Sequence, residues 1–150
     1  MALLQSNPIA DLLNNTEWGF AVAECFHIVF FAVAIGTIMM VDLRLLRLAF
    51  PRTTCSKLLQ DTWVYTLIGL AVTVLAGMAL FLSDPRMYYF SPWFRFKAIA
   101  LLLAILYNYT VHDKVASSSP SPGVGVVVGA ISVLLWISVV TGGLFVGLLA

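Results

Sequence analysis

The chain has 150 residues, of which 61% are hydrophobic and only 10% are charged. This composition excludes a soluble globular domain, in which charged residues make up about a quarter of the chain. The net charge is +1, so there is no basic surface to attract nucleic acid. Cys25 and Cys55 lie far apart in the sequence without the spacing of a disulfide framework or a zinc motif.

The predicted elements begin with a short helix in the N-terminal segment, residues 1–16, which we expect to lie in the membrane interface. Apolar runs long enough to cross a bilayer follow, and we place the spans at about 17–47, 60–83, 92–113 and 123–149. Because the connections between them are short, successive helices should be antiparallel neighbours. We predict a single transmembrane domain over 1–150: an all-α, polytopic, up-down-up-down four-helix bundle.

Basic residues predict the orientation of this bundle. The first and third connections and their flanks carry most of the lysines and arginines: Arg44, Arg47, Arg52, Lys57 and Lys114. By the positive-inside rule this side faces the cytoplasm. We therefore expect a multi-pass protein of a bacterial inner membrane with both termini on the periplasmic side.

Small residues recur at helical spacing in the second and fourth spans, at Gly69, Thr73 and Gly77, at Gly125 and Gly129, and at Gly143 and Gly147. Such stripes allow helices to approach closely. The spacing does not distinguish contacts inside the bundle from contacts between subunits. We expect the lipid bilayer as the surroundings, and a homo-oligomer or a place in a larger membrane complex.

Ionisable residues inside the spans are the candidate site, because a charge at mid-bilayer is costly and usually functional. Glu24 and His27 are three residues apart and share a helix face. Lys97 lies at a similar depth in the third span, which runs in the same direction. The simplest arrangement is a Glu24–Lys97 ion pair inside the bundle with His27 about one turn deeper.

These residues allow three interpretations: a structural ion pair, a proton or ion relay, and a b-type haem or other redox site with His27 as metal ligand. In the haem interpretation Glu24 sets the imidazole tautomer, and Lys97 or Arg95 binds a propionate. His112 cannot be the second axial ligand, because it lies too far along its helix. That position is then occupied by Met78, left open, or occupied by His27 of a second chain.

A second set of polar residues lies near the other ends of the spans. We expect His112, with Asn108 four residues earlier and Asp113-Lys114 beside it, to form a polar cap at the membrane boundary, with a quinone or a second metal as the minority interpretation. Arg44 and Arg47, three residues apart, should reach phosphates of the inner leaflet, and Asp42 should pair with a basic residue of the first connection.

Several motifs in the same order resemble an uncharacterised family, a domain of unknown function, of small bacterial four-helix inner-membrane proteins. They are Glu24-x-x-His27, Gly36, Val41-Asp42-Leu43-Arg44-Leu45-Leu46, Gly77-x-x-Leu80-Phe81-x-x-Asp84-Pro85, Tyr89, Phe94-x-x-Lys97 and Asn108-x-x-x-His112. The chain departs from that family's pattern at Gly142-Gly143, where the pattern has Gly-Arg. The resemblance implies the four-helix membrane architecture and strengthens the choice of Glu24, His27, Asp84, Lys97 and His112. It extends distantly to copper-resistance D-like membrane proteins.

No catalytic triad, phosphate loop or nucleotide motif occurs in the sequence, so we expect no independent catalytic activity. The first functional hypothesis is a b-type haem-binding or redox-active, electron-transfer membrane subunit that uses His27. The alternatives are a cofactor-free accessory subunit of a larger complex and a copper or proton permease.

Overall fold

The computed structural model describes residues 8–118 and 120–149. Its helices are α1 (Pro8–Asn15), α2 (Gly19–Leu45), α3 (Cys55–Ser83), α4 (Pro85–Phe90), α5 (Pro92–Tyr107), α6 (Asp113–Ser117) and α7 (Pro122–Leu149), with a π-helical turn (Asn108–His112) joining α5 to α6. Within these residues four helical segments are long and apolar enough to cross a membrane: α2, α3, α7 and the continuous stretch Pro92–Ser117. The predicted all-α four-helix bundle is confirmed, and the chain is a small multi-pass membrane protein.

Side-chain caps explain where several helices begin. Thr54 accepts a hydrogen bond from the Lys57 N–H at 3.2 Å, so α3 begins at Cys55, before the apolar run itself. Asp84 accepts from the Met87 N–H at 3.0 Å and starts α4, while Ser91 caps α5 in the same way. Each of these caps satisfies an amide that the first helical turn leaves without a backbone acceptor.

The N-terminal helix α1 packs against the bundle along one edge. Leu13 is buried while Leu12 is exposed, as expected for an amphipathic helix at an interface. Asn14 donates a hydrogen bond to the Ser83 carbonyl at 3.0 Å and so caps the last turn of α3. Residues 1–7 of the predicted interfacial segment lie outside the described part of the chain.

The spanning helices pack closely where glycine removes a side chain. A Cβ on Gly69 would lie 2.9 Å from the Phe30 carbonyl oxygen and 3.0 Å from the Ala34 Cβ, and one on Gly129 would lie 3.1 Å from the Leu45 Cβ. Both contacts are with α2 of the same chain. These parts of the small-residue stripes therefore hold the bundle together. Their occurrence gives no evidence of a second subunit.

The bundle has two ends with different chemistry. The terminal side carries α1, α4 and the last turn of α7. The basic side carries the connections between α2 and α3 and between α6 and α7, with the five basic residues that the sequence placed together. The core between them is apolar and centres on Ala34, Leu70, Ala104 and Trp136.

Candidate functional site

His27, in α2, lies between α3 and α5 near the terminal side. Its Nδ1 is 2.9 Å from the Thr73 carbonyl oxygen, and since a carbonyl only accepts, Nδ1 carries the proton. Nε2 of the neutral ring is then an acceptor, and it lies 3.4 Å from Lys97 Nζ. We call His27, Thr73 and Lys97 the His27 site.

Small residues shape the His27 site. Gly77 of α3 lies against the imidazole, where a Cβ would be 2.9 Å from Cε1, and the Phe31 ring stacks on its other side with centroids 6.2 Å apart. Lys97 runs along α7, with its Nζ 3.3 Å from the Cβ position of Gly143. The glycines on α3 and α7 thus provide the space that the two polar side chains occupy.

The predicted Glu24–Lys97 ion pair is wrong. Among the described residues no carboxylate lies within 4 Å of Lys97, and Glu24 is exposed. Three residues turn a helix by roughly 300°, so with His27 turned towards α3, Glu24 lies at the outer edge of the packed face. The phenol of Tyr88, in α4, has a pKa raised by burial and, secondarily, by the charges of Glu24 and Asp84.

A haem ligated at His27 does not fit the residues of a single chain. Both ring nitrogens already have partners, Thr73 and Lys97. The residue of α3 that faces the imidazole is Gly77, whereas Met78 exposes 54% of its surface on the neighbouring face. Arg95 is exposed as well. The predicted His27, Met78 and Arg95 set is therefore not brought together.

A second cluster of polar side chains lies in the core towards the basic side. Asp42 of α2, Asn108 and His112 of the π turn, and Ser132 of α7 are 0–2% exposed. Ser132 donates a hydrogen bond to Asp42 Oδ2 at 2.9 Å. We call these four residues, together with Asp113, the Asp42 site.

Two local features bring these residues together. Gly129 lets α7 approach the end of α2, and Ser132, three residues further along, lies on the same face and meets Asp42. On the other side the π turn accommodates an i to i+5 hydrogen bond from the Asp113 N–H to the Asn108 carbonyl. Both Asn108 and His112 consequently point into the bundle. Such turns are rare and often occur at functional sites.

His112 lies between two carboxylates. Nε2 is 2.8 Å from Asp42 Oδ1, and Nδ1 is 3.1 Å from Asp113 Oδ1, which also receives a long 3.5 Å contact from the Asn108 amide. The first distance is that of an ion pair, but the N–H is not aligned with the oxygen. In the described chain Asp42 Oδ1, His112 Nε2 and Asn108 Oδ1 have no aligned hydrogen-bond partner.

The structure corrects two expectations about this cluster. His112 is not a cap at the membrane boundary, because the helix continues through the π turn to Ser117 and buries the imidazole. Asp42 does not pair with a base of the first connection but with His112 and Ser132. Arg44 is half-buried at the basic side, where its Nε donates to the Thr53 carbonyl, and Asp84 is an exposed helix cap.

The sequence did not single out Ser132 or Thr73 as site residues, and it placed Asp113 only beside His112 in the expected cap. The spacing from Gly129 does mark Ser132, because Ser132 follows this close-packing glycine on the same helical face. Thr73 contributes a backbone carbonyl, which no sequence pattern marks. Among the described residues no group of three His, Cys, Asp or Glu side chains is placed to hold a metal ion.

Comparison with known proteins identifies a family but not an activity. No curated protein and no solved structure matches the chain. A family model described as a family of unknown function, DUF6644, matches residues 16–149, which includes every spanning helix and both polar sites. The match covers most of the 150 residues, so the chain belongs to the family of unknown function DUF6644.

Proposed function

We propose that this protein transfers protons at the Asp42 site, with His112 as the relay between Asp113 and Asp42. The observation that carries the proposal is the position of the imidazole. Its two nitrogens contact one carboxylate that is 26% exposed, Asp113, and one that is completely buried, Asp42. A group so placed connects the basic side with the interior of the bundle.

The transfer needs only the atoms that are present. A neutral ring with its proton on Nε2 accepts a second proton at Nδ1 from the Asp113 carboxyl group, which becomes a carboxylate, and the resulting imidazolium forms the ion pair with Asp42. The imidazolium then releases the Nε2 proton to Asp42 Oδ1, and the ring is left with its proton on Nδ1. Ser132 holds Asp42 Oδ2, so Oδ1 is the oxygen that receives the proton.

A purely structural role explains this cluster less well. Replacing a buried ion pair by well-packed apolar residues is often neutral or stabilising, and each buried polar atom without an aligned partner costs about 1–3 kcal/mol. The Asp42 site contains three such atoms. Asp and His residues in membrane spans commonly face the interior of the bundle, pair with one another and belong to proton pathways.

Close packing separates the Asp42 site from the His27 site. Between them Thr37 and Thr66 form a hydroxyl pair at 2.7 Å, and beyond it Gly69 contacts the backbone of α2 at Phe30 and Ala34. This contact leaves no room for water between α2 and α3. We therefore propose proton uptake from the basic side, which we place towards the cytoplasm of a bacterial inner membrane, with onward transfer dependent on separation of α2 and α3.

The b-type haem hypothesis is supported less. Haem binding would require that Lys97 moves away from His27 Nε2. It would also require a second axial ligand from outside the chain, and His27 of another copy could supply that ligand. An absorption spectrum of the purified protein tests it directly: a Soret band that disappears in His27→Ala would establish haem. The cofactor-free accessory subunit and the copper permease have no specific observation in their favour.

Infrared difference spectroscopy tests the proton-transfer proposal. Titration of the purified protein from about pH 3 to about pH 10, a range that spans ordinary carboxyl and imidazole pKa values, should show the C=O band of a buried carboxyl group. We expect that band to disappear in Asp42→Asn and to titrate differently in His112→Gln. Asp61→Asn is the matched control, because Asp61 is an exposed carboxylate on the same side.

Two outcomes would contradict the proposal. One is a single fixed protonation state of Asp42 and His112 over the whole titration. The other is an identical proton count for the native protein and for Asp42→Asn. Proton flux in liposomes is a further measurement, and flux that persists in Asp42→Asn would show that this residue is not on the path.

A further inference from the structure

An unassigned cavity lies on the basic side, where the ends of the four spanning segments meet. It has a volume of about 210 Å³. Its lining includes Arg44 in the last turn of α2 and Arg47 just beyond it, Thr54 and Cys55 at the start of α3, Ala116 in α6, and Ser121 and Pro122 at the start of α7. We propose that this cavity binds a phosphate group, and that the phosphate belongs to an anionic lipid headgroup.

The charge of the lining points to an anion. Arg44 and Arg47 contribute two guanidinium groups, and none of the described residues that line the cavity has a carboxylate. In the described parts of the chain no acid lies within 4 Å of either guanidinium. Arg44 uses its Nε to reach the Thr53 carbonyl, which fixes the guanidinium while its terminal N–H groups stay available to a ligand.

Backbone N–H groups with partial positive charge also lie at the cavity. Thr54 and Ser121 precede α3 and α7, and the first hydrogen bonds of these helices run from Leu58 N–H to the Thr54 carbonyl and from Gly125 N–H to the Ser121 carbonyl. Of the earlier amides in each first turn, that of Lys57 donates to Thr54 Oγ1 and Pro122 has no N–H, while the others have no acceptor within the helix. Two helix N-termini with their partial positive charges thus open on the cavity that the arginines line.

The position of the cavity favours a lipid as the source of the phosphate. Spanning segments end or begin at Leu45, Cys55 and Pro122, so the cavity lies at the level where the hydrocarbon meets the headgroups. Basic pockets between spanning helices at this level bind anionic headgroups. Bidentate pairing with phosphate oxygens is the geometry for which arginine is suited.

Arg47 offers a variant that separates binding from folding. Its φ is 61°, a left-handed conformation that favours glycine at the end of a helix. Arg47→Gly therefore removes the guanidinium and relieves the backbone at the same time. We expect this variant to keep or raise the Tm of the protein while lowering its affinity for phosphate lipids.

The test compares lipid retention in mild detergent by native mass spectrometry, with phosphatidylglycerol as the anionic probe and phosphatidylcholine as the neutral one. Arg44→Gln and Arg47→Gly should each weaken phosphatidylglycerol binding by about tenfold, the loss of one hydrogen bond between charged groups. Arg52→Gln is the matched control, since Arg52 is an exposed arginine of the same connection that does not line the cavity. Its effect should stay within about twofold.

Inorganic phosphate separates the two sources of the ligand. If the lipid is the ligand, phosphate at constant ionic strength should neither displace phosphatidylglycerol nor raise the Tm more than chloride does. Displacement by phosphate that depends on Arg44 and Arg47 would overturn the lipid assignment and leave a site for a soluble phosphate. Equal losses of lipid in Arg44→Gln, Arg47→Gly and Arg52→Gln, or equal retention of both lipids, would overturn the site itself.

Discussion

The Asp42–His112 pair allows burial and distance to be compared as determinants of ion-pair strength within one chain. The pair is 2.8 Å long and its side chains are 0–1% exposed, whereas the Lys57–Asp61 pair is shorter, 2.6 Å, with side chains 62% and 52% exposed. We consider two double-mutant cycles, one with Asp42→Asn and His112→Gln, the other with Lys57→Gln and Asp61→Asn. Distance alone predicts the stronger coupling in the exposed pair, and burial predicts the reverse.

The expected magnitudes follow from what each substitution leaves behind. Removing one partner of a buried pair leaves the other charge in the interior and costs about 3–5 kcal/mol. The double variant leaves no such charge, so we expect its loss of stability to exceed that of either single variant by only about 1–2 kcal/mol. The coupling energy should then be about 2–3 kcal/mol. For the exposed i, i+4 pair it should be about 0.3–0.5 kcal/mol.

The assay is reversible unfolding in mixed micelles, with the fraction of sodium dodecyl sulfate raised stepwise and helix content followed by circular dichroism. The free energy of unfolding of all seven proteins is measured under the same conditions, with the native chain common to both cycles. Additive losses in the Asp42–His112 cycle would refute the reasoning. So would a coupling no larger than that of the exposed pair, because the structure would then place two charges in the core without mutual stabilisation.

Three further predictions concern packing and hydrogen bonding. Gly69→Ala should unfold about 1–3 kcal/mol more easily than Gly36→Ala, because overpacking against the α2 backbone affects only the first. Apart from its own helix backbone, none of the described residues has an atom within 4 Å of a Cβ on Gly36; equal stability would contradict the close contact. Ser132→Ala should lose about 1.5–3 kcal/mol in the same unfolding assay, the contribution of a hydrogen bond to a charged group, and a neutral effect would argue against the Asp42 contact. Gly77→Ala should displace the His27 ring and remove its Nδ1–H signal in ¹⁵N NMR, and an unchanged spectrum would show that α3 does not confine the ring.

The sequence predicted the architecture because hydrophobic length and polar connections determine it almost alone. The helix ends needed more information. The second span was expected to begin near residue 60, because Lys57 reads as part of a connection, but the Thr54 cap starts α3 at Cys55. The third span was expected to end near 113, yet the helix continues to Ser117. Caps and turns of this kind depend on single side chains, and hydropathy averaged over a span does not reveal them.

The sequence identifies the candidate residues as polar groups in the spans, but their pairing was not predictable from it. Whether Glu24 or His27 meets Lys97 depends on the rotation of α2 about its axis, and this is determined by where Gly77 and Gly69 let α3 approach. The Asp42–His112 contact depends on the π turn, since an uninterrupted α-helix would place the imidazole differently. Helix rotation and a local change of helical register are properties of the packed bundle, and sequence spacing alone does not contain them.

The π turn at Asn108–His112 has a consequence for how the third span tolerates change in length. The turn contains one residue more than a regular α-helix would have at this place. Because of this extra residue, Ala100 and Ala104 of α5 and Ala116 of α6 all face the core. Deleting one residue within the turn would restore a regular α-helix and keep these alanines on the core face, whereas deleting one residue from α5 would rotate everything beyond it by roughly 100°. The imidazole would then be directed towards acyl chains, although no contact residue had been altered.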